Sequence, residues 1–197
     1  MIIGLTGAYC AGKNFIGSML EARGLPVLDV DKLGYQALEA EKEKIFNIFG
    51  SDIKRDDGSL DRRLLGRRVF GNPEKLAALE AIVHPAANLM TNEWIKNRTE
   101  KNYVINAALL HRCHVFDKLD RIILVTSPFF TRMLRARKRD RLSWAEIIKR
   151  FSSQKGFKVN YLLKKAEIYR IGNPGISSDV SQKKKLEKQI DCIIEGI

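Results

Sequence analysis

The chain has 197 residues, 45% of them hydrophobic and 29% charged, with a formal net charge of +12. That length suits one domain with insertions or two small ones around a real core, and the composition is that of a soluble globular protein. Its apolar runs are far below membrane-spanning length, and its first residues lack the basic and small-residue marks of a signal peptide, so neither a membrane span nor secretion is expected. Cys10, Cys113 and Cys192 form no CxxC pair and are odd in number, which fits a reducing cytoplasmic setting. The positive charge implies an anionic partner. Nucleic acid and a multiply phosphorylated small molecule both qualify, and charge alone does not choose.

Taken in order, residues 1–6 read as a short buried strand, and the loop Gly7-Ala8-Tyr9-Cys10-Ala11-Gly12-Lys13 follows directly. An amphipathic helix then opens at Phe15. Strand, glycine-bounded loop, Lys and helix is the layout of a phosphate-binding P-loop. Gly7 and Gly12 let the backbone turn tightly and aim N–H groups inward, the helix N-terminus adds partial positive charge, and Lys13 would reach the β- and γ-phosphates of a nucleotide. The last position of the pattern differs, because Asn14 stands where Ser or Thr would hold Mg²⁺. An ordinary glycine-containing turn between strand and helix is the plainer alternative.

A second strand is predicted over 26–31, ending on Asp29 and Asp31. In an open α/β sheet that end faces the ligand crevice, so both carboxylates belong near the P-loop. Asp31 has a second reading as the cap of a helix beginning at Lys32. Residues 32–98 are helical in pattern, with a turn at 56–59, a helix from Asp61, and a long helix from Asn72-Pro73 that Pro85 should break or kink. Such a length between two strands reads as an inserted subdomain. Third and fourth strands are predicted over 103–108 and 121–125, without clean alternation, as for parallel strands covered on both faces. A basic helix and turn over 131–142, a helix over 144–154, a fifth strand over 167–171 and a last helix from about Ser178 complete the chain. The fold class is α/β.

Several short motifs fall in a fixed order: Gly4 to Gly7 with Gly12-Lys13, residues 27–33, the block Asp57-Gly58-Ser59-Leu60-Asp61-Arg62-Arg63, Val69-Phe70, and residues 79–85 ending His84-Pro85. Leu109-Leu110, Arg135, Arg139-Asp140, Arg150 with Gln154, and Ile171-Gly172-Asn173-Pro174-Gly175 follow. In this order they resemble the dephospho-coenzyme A kinase family over nearly the whole chain. The resemblance implies ATP-dependent phosphorylation of the ribose 3′-hydroxyl of dephospho-coenzyme A. It implies a P-loop NTPase-type parallel sheet (1–31 and 99–197) with a lid at about 139–156, and a helical substrate-binding insertion (32–98). Lys13, Asp31 and Arg139 are the catalytic candidates it suggests. Gly7, Cys10, Ala11, Gly12, Lys13, Asn14, Phe15 and Asn173 would bind ATP. Asp31, Arg62 and His84 would face the substrate, and Asn14 would meet Mg²⁺.

Elementary chemistry agrees with those roles. Phosphoryl transfer needs positioning and charge stabilisation more than covalent chemistry, which suits Lys13, Arg139 and a metal. A carboxylate such as Asp31 can orient a hydroxyl and accept its proton. For Arg62 the blander role is an ion pair with Asp61 or Asp57, and for His84 a helix-end or core histidine. Asn14, Phe15 and Asn106 depart from the family pattern, and Arg112 stands where Glu is common. A weakened relative that binds nucleotide or coenzyme A is therefore a competing reading. A basic nucleic-acid-binding protein is another, unsupported by any RNA-reading aromatic motif or recognition helix. Neither a membrane nor a nucleic-acid partner is expected.

Overall fold

The computed structural model describes residues 1–140, 143–152, 166–175 and 180–196. The chain divides into two compact units, Met1–Leu28 with Thr99–Ile197, and Asp29–Arg98. The first unit is built on a sheet of β1 (Ile2–Gly7), β2 (Val27–Asp29), β3 (Tyr103–Asn106), β4 (Arg121–Thr126) and β5 (Glu167–Gly172) in the order β2-β3-β1-β4-β5. β1 lies at the centre, parallel to β3 and β4, and β5 runs parallel to β4 on the far edge. Ile3 sits opposite Val104 on one side and Arg121 on the other.

The strands carry near-continuous apolar runs because both faces are covered. Ile3, Leu5, Val104, Ile123 and Val125 pack with Ile16 and Leu20 of helix α1 (Lys13–Glu21) and with Leu186 and Ile190 of the last helix, α8 (Val180–Glu195). Each such residue, buried fully, contributes about 1.5–3 kcal/mol. This packing fixes the carboxyl end of β1, and with it the start of the glycine loop. α6 (Phe129–Asp140) and α7 (Trp144–Ser152) follow β4.

The second unit is helical: α2 (Val30–Ala40), α3 (Lys42–Phe49), α4 (Arg62–Val69) and α5 (Pro73–Lys96). Ile45, Phe46, Phe49, Ile53, Leu60 and Leu65 form its core. Side-chain caps start the helices as the sequence suggests. Asp61 Oδ1 accepts from the N–H groups of Arg63 and Leu64 at 2.9 and 3.0 Å, and Asn72 Oδ1 from Lys75 N–H at 3.0 Å. Between α3 and α4, Asp57 accepts from Ser59 N–H at 2.9 Å, and a single antiparallel bridge joins Lys54 to Leu60.

Several boundaries move. α1 starts at Lys13, not Phe15, so Lys13 stands in the first turn. β2 ends at Asp29, which caps α2 by accepting from Lys32 N–H at 3.2 Å. Asp31 is therefore inside the helix rather than its cap. β3 stops at Asn106, where the Ala108 carbonyl turns to accept from the Thr6 hydroxyl at 3.3 Å. Pro85 does not break α5, which runs through it for 24 residues. The missing N–H and ring clash cost about 3 kcal/mol in an isolated helix. Here α2, α3 and α4 all pack on α5, and Asn72 caps it. Tertiary burial outweighs the local penalty. Of the predicted lid, residues 141–142 and 153–156 lie outside the described residues, as does Ser178 at the predicted start of the last helix.

Candidate active site

The loop after β1 is held by its own backbone and by two side chains from elsewhere. Ala11 N–H donates to Ala8 C=O at 2.8 Å, closing a turn, and Gly12 adopts φ +95° at the mouth of α1. A Cβ on Gly12 would fall in the left-handed region and would strike the Asn173 amide, so only Gly fits there. Gly7 answers a different need: a Cβ would come within 2.9 Å of the Val125 carbonyl oxygen. Cys10 also has a positive φ, 59°, which costs a residue with a Cβ about 1–2 kcal/mol. Its half-buried thiol is pushed up by desolvation first.

Asn173 and Arg135 clasp this loop. Asn173, only 2% exposed, donates its amide to Ala11 C=O at 2.9 Å and accepts from Arg135 Nη2 at 3.0 Å. Arg135 Nη1 lies 3.3 Å from the carbonyls of Cys10 and Ala11 and from Ser127 Oγ. Beside the clasp opens a cleft of about 590 Å³, lined by Ser127, Pro128, Asn173, Pro174, Lys185 and Gln189. Arg135 was not among the residues assigned a site role from sequence. The signal was the spacing of Arg132, Arg135 and Arg139, which places all three on one helical face.

Lys13 reaches two amide oxygens on the other side of the loop. Its Nζ donates to Asn14 Oδ1 at 2.9 Å and Asn106 Oδ1 at 3.1 Å, while Asn106 Nδ2 donates to Asn14 Oδ1 at 3.1 Å. Asn106 is 2% exposed, so this triangle is partly shut off from water. Phe15 points outward and is exposed. Arg139 comes from the last turn of α6 and donates to Asp140 through Nε and Nη2 at 2.7 and 3.1 Å. That carboxylate pushes the guanidinium pKa up, and Arg139 in turn holds Asp140 below the usual carboxylate range.

The remaining candidates belong to the helical unit. Asp31 is exposed in the first turn of α2, His84 is exposed on α5, and Arg62 opens α4. Arg62 stacks its guanidinium 4.6 Å from the centroid of the Tyr35 ring. This is a cation–π contact that spares the in-plane N–H groups for an anion. Asp61, its suggested ion-pair partner, instead caps α4 and lies 3.9 Å from Arg55. Tyr35 was missed because its value depends on a residue many positions away in sequence.

A glycine loop and Lys at the carboxyl end of a central parallel strand, followed by a helix N-terminus, define a P-loop nucleotide-binding protein. Comparison with known proteins agrees. The dephospho-CoA kinase family model matches residues 1–168. A dephospho-CoA kinase of Shouchella clausii is 34% identical over 160 residues, covering 78% of this chain and 81% of that protein. One from Treponema pallidum is 29% identical over 203 residues, covering 98% and 93%. A Thermus thermophilus protein of known crystal structure superposes with a TM-score of 0.83 at 29% identity, covering 100% of this chain and 97% of that one. The chain belongs to the dephospho-CoA kinase family. No helix among the described residues is long and apolar enough to cross a membrane.

Proposed function

We propose that the chain transfers the γ-phosphoryl group of ATP to the ribose 3′-hydroxyl of dephospho-coenzyme A, giving coenzyme A and ADP. The observation that carries this reading is Lys13, set at the first turn of α1 behind the glycine loop with its Nζ donating to the amide oxygens of Asn14 and Asn106. A new bond forms between the 3′-oxygen and Pγ as the bond from Pγ to the β–γ bridging oxygen breaks. The hydroxyl proton passes to Asp31. Lys13 and Arg139 offset charge on the phosphoryl oxygens. Gly7, Cys10, Ala11 and Gly12 form the nucleotide loop, Asn14 and Phe15 follow in the first turn of α1, and Asn173 holds the loop's floor. The 29–98 unit serves as the substrate-binding part, with Arg62 and His84 toward dephospho-coenzyme A, and residues 139–140 and 143–152 are the described part of a lid.

Magnesium is best assigned to the nucleotide. Asn14 Oδ1, the oxygen the loop would offer, already accepts from Lys13 and Asn106. Among the described residues no group of three or more His, Cys, Asp or Glu side chains gathers around a point. These residues do not fit a resident ion, so Mg²⁺ is read as entering on ATP, as part of the substrate. A cytoplasmic setting accords with the three free cysteines.

The test is an ADP-release assay with ATP, Mg²⁺ and dephospho-coenzyme A against a control without acceptor. ADP that forms only with the acceptor is expected. ADP at the same rate without it, or none in either case, would overturn the reading. The occupied Asn14 oxygen favours a second reading, a relative that binds nucleotide and turns over poorly, and the same assay separates the two.

A further inference from the structure

Tyr9 is a larger side chain than cradling a phosphate requires, and it spends its reach on α6 and α7. Its hydroxyl donates to Asp140 Oδ2 and accepts from Arg150 Nη1 at 3.3 Å. Its ring meets Phe151 edge to face with centroids 5.6 Å apart. The guanidinium carbons of Arg139 and Arg150 lie 5.3 and 5.7 Å from its centroid. Arg132 extends the contact, donating to Tyr9 C=O at 3.4 Å and lying 4.6 Å from the Phe151 ring centroid.

Asp140 is where these contacts converge. It takes two hydrogen bonds from Arg139, one from Tyr9, and an ion pair with Arg150 at 3.5 Å. Its side chain is 18% exposed, whereas that of Arg139 is 61% exposed. The fixed partner is therefore the carboxylate, and the guanidinium is the part with room to move. Desolvation, reinforced by Asp140, raises the Tyr9 pKa, so the hydroxyl keeps its proton and remains a donor to Asp140.

We propose that Tyr9 is a positioning residue that ties the phosphate loop to α6 and α7 and, by sharing Asp140 with Arg139, sets the direction of that guanidinium. The proposal rests on the kinase reading for its effect on turnover, but not for the tie itself. A loop side chain and a phosphate-facing arginine that share one carboxylate move together. Arg139 is then aimed by the state of the loop that holds the nucleotide. Side-chain preorganisation of this kind acts on the transition state more than on ground-state binding.

The experiment compares the parent protein with Tyr9→Phe, Asp140→Asn and the double variant. Tyr9→Phe keeps the ring and removes only the hydroxyl. In the ligand-free proteins, amide hydrogen exchange over 143–152 should quicken about tenfold in either single variant, because local opening there loses its tie to the loop. In the assay, kcat should fall about tenfold with the KM for ATP moving less than about twofold, and the double variant should be no worse than the weaker single. Unchanged exchange would overturn the tie. A raised KM with kcat intact, or losses that multiply in the double variant, would overturn the aiming of Arg139. If the parent releases no ADP, the kinase reading fails while the exchange data still decide the tie.

Discussion

The two flanks of the phosphate loop hold their cations through different described neighbours. On the α1 side, Lys13 is held by the neutral oxygens of Asn14 and Asn106. On the α6 side, Asp140 gathers Arg139 and Arg150 against the Tyr9 ring. An amide oxygen helps to locate a cation without adding a counter-charge of its own. A carboxylate locates cations more strongly and takes away part of their field. The first flank suits a permanent clamp, and the second suits a group that acts after a rearrangement.

The largest expected effects test that contrast directly. Lys13→Ala should lower kcat by about 10²–10³-fold, the usual worth of one preorganised charge at the transition state. Arg139→Ala should cost less, because its charge is shared with Asp140 and more than half its side chain meets solvent. Initial rates at saturating ATP and acceptor measure both, and equal losses would erase the distinction. Gly12→Ala comes next and acts on the fold. The left-handed backbone costs a residue with a Cβ about 1–2 kcal/mol, and displacing the buried Asn173 amide adds to it. Urea unfolding should show at least that loss.

Much of the loop could be read from sequence because its determinants are local. Gly7, Gly12 and Lys13 occupy fixed spacings after a buried strand, and the spacing encodes the turn. The clasp could not be read the same way. Asn173 meets Ala11 across 162 positions and Arg135 across 38, and only the order of the strands brings them together. Tyr9 is a similar case, since its partners lie 131 and 141 positions on. Pro85 shows the converse case. A sound local rule predicted a break or a kink, and the packing of α2, α3 and α4 on α5 goes with a helix that continues through Pro85. Asp29 and Asp31 were both placed at the end of β2, but a cap depends on a single residue step, and Asp29 took it.

A smaller effect probes the amide flank through magnesium. Asn14→Ser removes the oxygen that accepts from Lys13 and Asn106 and supplies a shorter hydroxyl in its place. Mg²⁺ favours short bonds in near-octahedral geometry, so the Mg²⁺ concentration for half-maximal activity should fall severalfold. A Mg²⁺ titration at fixed ATP measures it. A higher requirement in the Ser variant would mean that Asn14 itself serves as an adapted ligand.

The smallest effect belongs to the charged flank and appears with pH. Hydrogen bonding from Arg139, then from Tyr9, holds the Asp140 carboxyl below its ordinary value. In the unfolded chain the same group titrates near pH 4. The folded state therefore favours the charged form, and this contribution is fully present above about pH 4. It is lost as pH falls through the lower, folded value. Asp140→Asn carries no such proton. The stability difference between parent and variant should accordingly be flat from pH 7 to 5 and shrink below about pH 4. Arg139 is largely exposed, so solvent screens the pair and keeps the difference small. Urea midpoints across that range measure it. A difference that persists unchanged into the acid limb would mean that Asp140 contributes by shape and not by charge, and the contrast between the two flanks would fail at its charged side.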